Sequence, residues 1–141
     1  MAVQEMKNAM PTASRADAAV TQIQGHRFLN LTTFRKNGVP VVTTLLFAQA
    51  NGKIYVWTAK ESGKVKRIRH NAMVQIAPST RLGRPLGLSA AATARILSAT
   101  EQREVQPLMD HKYGWLKTFF ELVWRLLRHE EVYVELTPVA P

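Results

Sequence analysis

Residues 53–71 read K-I-Y-V-W-T-A-K-E-S-G-K-V-K-R-I-R-H-N, and the way this stretch folds decides the rest of the chain. Ile54 to Thr58 is dense in β-branched and aromatic side chains, which predicts a strand, and Ser62 followed by Gly63 predicts the start of a short helix. On that helix Val65 and Ile68 share one face, while Lys64 and Arg67, three apart, share the side next to it. A threonine closing a strand, a serine hydroxyl, a glycine that lets backbone N–H groups approach, and two cations pointing the same way describe a phosphate cradle. The same residues also fit a plain solvated helix face, so the remaining sequence has to decide between the two.

Upstream, Phe28 to Phe34 and Val39 to Ala48 read as strands joined by a turn at Arg35 to Gly38 with the favoured Asn-Gly pair. A second turn at Ala50-Asn51-Gly52 leads into the strand ending at Thr58. Downstream, Met73 to Ala77 is a strand, Ser79 to Gly87 a loop rich in Gly and Arg, and Leu88 to Leu97 a fifth strand despite its alanine content. A helix follows from Thr100 to about Lys112, a break near Gly114, a second helix from Trp115 to Arg128, and a sixth strand from Val132 to Leu136. Residues 1–13 read as a tail, with Ser14, three before Asp17, capping a short helix that ends near Gly25. The expected organisation is residues 1–25 as tail and helix, then one β-rich domain over 26–138.

The helix from Trp115 carries Lys117, Glu121 and Arg125 on a narrow polar stripe, and its other positions are largely apolar. So wide an apolar surface predicts burial in a core or at a subunit interface, ahead of a membrane-surface helix.

The chain has 141 residues, enough for one domain with a substantial core, and contains no cysteine, which excludes disulfides, thiolate metal sites and cysteine nucleophiles. With no apolar leader and no run of membrane-spanning length, the expected compartment is the cytoplasm and no membrane partner is expected. The net charge is +9, and it is concentrated: from His26 to Thr100 there are 12 Lys or Arg and one acid, Glu61. Such an excess predicts an anionic partner. One carboxylate in that segment argues against paired-carboxylate catalysis and a carboxylate metal cage there, so in an enzyme a cofactor would supply the reactivity. No G-x-G-x-x-G, P-loop or G-x-S-x-G occurs, and His26, His70, His111 and His129 show no metal-ligand spacing, so no metal site is expected and no catalytic residue stands out.

The hairpins, then T-A-K-E-S-G-K-V-K-R-I-R-H-N, A-P-S-T-R-L-G-R-P-L-G, A-R-I-L, H-K-Y-G-W and a last strand ending L-T-P together resemble the pyridoxamine 5′-phosphate oxidase-like flavoproteins. Within them the pattern is closest to the coenzyme F420-dependent branch, from about His26 to Pro138. The resemblance implies a mainly β fold with flanking helices (α+β), an FMN-binding-like split β-barrel that forms a homodimer with cofactor sites at the interface. By the same resemblance the cofactor phosphate meets Thr58, Ser62, Gly63 and Lys64, with Arg67 one turn on. The ring would lie along Val42, Thr43 and Thr44, Trp57 would be a further cofactor-binding residue, and Arg81 and Arg84 would suit the anionic tail of F420. The chain departs from that branch with Thr44-Leu45-Leu46-Phe47 in place of Pro-Val-Trp-Phe, and with Ser79-Thr80 in place of Cys-Asp.

These readings predict an oxidoreductase that uses F420, with FMN as the alternative, to pass hydride to a small organic acceptor. A non-catalytic flavin, deazaflavin or haem carrier is the second expectation. Nucleic-acid binding ranks last, because most aromatic residues sit in the C-terminal part, apart from the cations.

Overall fold

Alternation along the strands sets the architecture. In Phe28–Phe34 (β1), Leu29, Leu31 and Thr33 are fully buried, and in Lys53–Ala59 (β3) Ile54 and Val56 are too. Side chains two apart share a face of a strand, so both strands present one continuous inner face. The computed structural model describes residue 18, residues 20–127 and residues 130–139. The expected tail over 1–13 and the Ser14 and Asp17 cap lie outside the described residues, while residues 20–23 are helical, as expected for the end of that helix.

The other strands are Pro40–Ala50 (β2), Met73–Ser79 (β4), Ala90–Ile96 (β5) and Glu131–Pro138 (β6). They close into an antiparallel barrel in the order β1-β2-β3-β6-β5-β4. Every strand has a partner on both sides, but β2 and β3 pair only over Phe47–Ala50 and Lys53–Val56, which leaves the seam between them open beyond Leu46 and Trp57. Asn51 and Gly52 form the two-residue turn between β2 and β3, with φ of 54° and 75°, the left-handed pair that such a hairpin needs.

Two plugs fill the barrel. Helix Gly63–His70 (α1) inserts Val65 and Ile68 at the end near Thr33, and Ile23 enters at the opposite end, where Gln49 Nε2 donates to the Val20 carbonyl at 2.7 Å. Helix Ala99–Tyr113 (α2) packs outside: Val105, Met109 and Tyr113 form a second cluster with Ala48, Tyr55, Trp57 and Tyr133 from the outer face of the barrel.

Two of the boundaries that differ from expectation do so for visible reasons. Strand β5 starts at Ala90 because the N–H and C=O of Leu88 are bonded to the Gln22 side chain, at 3.2 and 2.6 Å. Helix α2 starts one residue earlier than Thr100 because Ser98 and Glu101 form a capping box. The alanines of β5 are strand after all: pairing with β4 and β6 outweighs their helical propensity, and Ala92 and Ala94 fit the core without crowding it.

The helix Trp115–Leu126 (α3) carries the apolar surface expected in a core or at a subunit interface. It restarts at Gly114 as predicted, and four of its described side chains lie outside the core of the chain: Trp115 is 78%, Phe119 54%, Leu122 52% and Leu126 75% exposed. Lys117 faces inward instead and is 1% exposed.

Candidate functional site

The residues singled out from sequence fall into two groups, because adjacent strand residues point to opposite faces. Thr58 is buried on the inner side with Ile54 and Val56, whereas Trp57 belongs to the outer cluster. Likewise Thr43 shares the inner face with Leu45 and Phe47, and Val42 and Thr44 share the outer face with Leu46.

The first group lies at the barrel end closed by α1. Ser62 caps the helix, its Oγ accepting from the Val65 N–H at 3.4 Å. Arg67 folds back along α1: its Nε donates to Thr33 Oγ1 at 2.6 Å, and a Cβ on Gly63 would stand 2.8 Å from its Nη1. Gly63 therefore leaves the space in which the guanidinium crosses the helix start. Burial, and then the neighbouring Arg67 charge, pull the Lys64 amine below the ordinary lysine range. Ser62, Gly63, Lys64 and Arg67 are thus together.

The second group lines a cleft of about 480 Å³ on the outer face of the barrel, bounded by Arg27, Phe28, Thr44, Leu45, Leu46, Trp57, Arg81 and Leu116. One wall is the loop after β4. Gly83 in that loop has φ of 92°, its carbonyl accepts from Asn30 Nδ2 at 2.8 Å, and Thr44 Oγ1 donates to Asn30 Oδ1 at 2.8 Å. A Cβ at Gly83 would meet Thr44 Oγ1 at 2.9 Å, so glycine is what lets the loop lie on β1 and β2 and bring Arg81 to the cleft. Arg84 is exposed and is not part of the lining, and neither are Val42 and Thr43.

Trp57, in the cleft wall, is held by polar groups that sequence reading did not find. Its Nε1–H donates to Glu131 Oε2 at 2.7 Å, and burial keeps the Glu131 carboxyl above the usual carboxylate range. The Lys117 ammonium lies 5.5 Å from the Trp57 ring centroid and 5.9 Å from that of Tyr133. Burial pulls Lys117 down, but bonds to Glu121 and, at 3.0 Å, to Asp110 more than compensate, and its amine stays above the ordinary lysine value. Burial pushes the Tyr133 phenol up to about 12. Tyr113 is a core residue: its hydroxyl shares its one proton between the backbone carbonyls of Arg27 and Phe47 and accepts from the Phe47 N–H at 3.0 Å.

Of the 12 cations between His26 and Thr100, Lys53, Lys60 and Arg95 pair with Glu135, Glu130 and Glu101; the other nine make no ion pair among the described residues. The local excess is therefore mostly uncompensated. Aromatics do stand among those cations: Phe34 shares a hollow with Arg35, Lys36, His70 and Asn71, and Phe28 and Trp57 share the cleft with Arg27 and Arg81. Among the described residues no group of three or more His, Asp or Glu could hold a metal, and no helix is long and apolar enough to cross a membrane.

The family model described as pyridoxamine 5′-phosphate oxidase matches residues 16–133. This chain belongs to the pyridoxamine 5′-phosphate oxidase family. No curated protein matches it. Solved structures share the family's fold. The haem storage protein HutZ from Vibrio cholerae has 17% identity and a TM-score of 0.65, over 94% of this chain and 93% of that one. A putative pyridoxamine 5′-phosphate oxidase from Listeria innocua has 14% identity and a TM-score of 0.60, over 88% and 93%. General Stress Protein 26 from Bacillus anthracis has 20% identity and a TM-score of 0.58, over 88% of each chain. The six-stranded barrel with flanking helices is thus the family fold, as the sequence resemblance implied.

Proposed function

We propose that this member of the pyridoxamine 5′-phosphate oxidase family is a cofactor-dependent oxidoreductase that uses F420, or FMN, to reduce a small organic acceptor. The observation that carries the reading is the outer cleft, whose mostly apolar wall of Phe28, Leu45, Leu46, Trp57 and Leu116 suits a flat ring system. Lys64 fits a phosphate: it is part-buried, its charge is disfavoured where it stands, and no carboxylate pairs with it among the described residues. An anion there would offset that penalty.

In this reading Ser62, Gly63, Lys64 and Arg67, below Thr58, bind the phosphate, and Thr44 and Trp57 orient the ring, with Val42 and Thr43 on the same strand. Arg81, with Arg84 beside it in the loop, receives further anionic groups. A bound deazaflavin or flavin would supply the hydride. The chain's own contribution is to bind, orient and exclude water, which agrees with the absence of a carboxylate from the cleft lining. A second copy of the chain would complete the enclosure, and the exposed apolar stripe of α3, which starts next to Leu116, supports a homodimer of this kind.

The reading is tested by titrating the full chain with F420, FMN and haem in parallel. Saturable binding of F420 or FMN supports it; haem binding with neither of them moves the chain to a carrier role. Lys64→Ala is expected to weaken cofactor binding by about 1.5–3 kcal/mol, the range for hydrogen bonds to charged groups, with the fold retained. Unchanged affinity in that variant removes Lys64 from the site.

A further inference from the structure

Arg27 stands in the cleft lining although no sequence motif signals it. Its carbonyl accepts from the Tyr113 hydroxyl at 2.9 Å, which fixes the main chain to the core at this point. One residue earlier, the His26 carbonyl accepts from the Lys112 ammonium at 2.8 Å. Lys112 as a residue is exposed, but its ammonium packs 3.7 Å from the centroid of the fully buried Phe47 ring. The Lys112 ammonium thus sits against the backbone one residue before Arg27, and neither cation pairs with a carboxylate among the described residues.

Among the described residues the side chains facing Lys112 are Arg27 at the entry to β1, the Phe47 ring from β2 and the Tyr113 ring on its own helix, and none of these is acidic. Burial, and then Arg27, hold the Lys112 amine down at about 8. A like-charge pair on a fixed backbone with no counter-ion is stabilised by whatever anion reaches it. Arg27 is the member of the pair that reaches the cleft.

We infer that Arg27, backed by Lys112, is an anion subsite that takes the carboxylate of an aromatic acid whose ring shares the cleft with the cofactor ring, on the side of Phe28. The inference deepens the proposed function and rests on the cleft being its ligand site. A carboxylate fits better than a phosphate dianion. The guanidinium fork matches its two oxygens, and the apolar walls would strip a dianion of more hydration than one fork and one partly charged amine return. Binding would raise the Lys112 pKa, so above about pH 8 the acid would be taken up together with a proton and would weaken further as pH rises.

The test is calorimetric titration of the full chain with 4-nitrobenzoate and with its neutral counterpart 4-nitrobenzyl alcohol, at about pH 8.5 in two buffers of different ionisation enthalpy. The acid is expected to bind at least about tenfold more tightly than the alcohol. Arg27→Gln should lose that margin without changing alcohol affinity, Arg27→Lys should keep part of it, and Lys112→Gln should abolish the proton uptake. Equal affinities of acid and alcohol, or an acid affinity indifferent to Arg27→Gln, would overturn the subsite. Titrating the same variant with F420 and FMN separates the two claims. Native cofactor affinity with lost acid binding supports both, whereas Arg27-dependent acid binding in a chain that takes neither cofactor keeps the subsite and removes the cofactor reading.

Discussion

Helices α1 and α3 each combine apolar and charged residues, and they turn them in opposite senses. Helix α1 hides Val65 and Ile68 in the barrel and shows Lys66, Arg69 and His70 to solvent. Helix α3 hides Lys117 and shows Trp115, Phe119, Leu122 and Leu126. The first arrangement is the ordinary outcome of apolar burial. The second exists because the surface under α3 is polar in the right places: Asp110 from α2 and Glu121 from α3 itself satisfy the ammonium, and Trp57 and Tyr133 offer their rings to it. Turned this way, the helix leaves Trp115, Leu122 and Leu126 exposed to solvent in the single chain.

The comparison predicts a graded set of losses. The largest is expected where α1 plugs the barrel. Ile68 is 4% exposed and packs with the central cluster, so Ile68→Ala should cost about 3–4 kcal/mol through lost transfer energy and the cavity left behind. Urea or guanidinium unfolding would report it as a lower midpoint at unchanged slope. A loss below about 1 kcal/mol would mean that α1 is dispensable to the barrel, contrary to the packing.

Next comes the ion cluster under α3. Removing both carboxylates in Asp110→Ala/Glu121→Ala strands the Lys117 ammonium and should cost about 3 kcal/mol, the lower end of the range for orphaned buried charges because Asp110 is half exposed. Adding Lys117→Met to that pair should return most of the loss, since an apolar chain of similar length no longer needs counter-ions. If the triple variant is no more stable than the double, Lys117 matters through its packing rather than its charge.

The barrel was legible in the sequence because its signals are local. Alternation marks the strands, Asn51-Gly52 marks a hairpin, and Ser62-Gly63 marks the start of α1. The orientation of α3 was not legible. A pattern of side chains says which face of a helix is apolar, but which face turns inward depended on Asp110, Trp57 and Tyr133, all outside that helix. The site was legible in part. Sequence reading found Thr44, Trp57 and Arg81, which the fold brings to one cleft, and Ser62, Lys64 and Arg67, which it keeps at the barrel end. It listed Thr43 beside Thr44 although strand period puts them on opposite faces, and it missed Arg27, whose only local signal is a charge just before β1.

The smallest effect should come from the exposed face of α3. Leu122 is 52% exposed, so in a monomer Leu122→Ser should shift stability by no more than about 0.5 kcal/mol, as for other surface substitutions away from special contacts. If a second copy of the chain covers this stripe, the same substitution acts on association instead. The native chain would then melt at a temperature that rises with protein concentration, the variant would lose that dependence, and sedimentation would show a lighter species. Concentration-independent melting of the native chain, with one sedimenting species of monomer mass, would detach the α3 stripe from dimerisation. A homodimer would then have to form through another surface, and the cleft beside Leu116 would stay open on the α3 side.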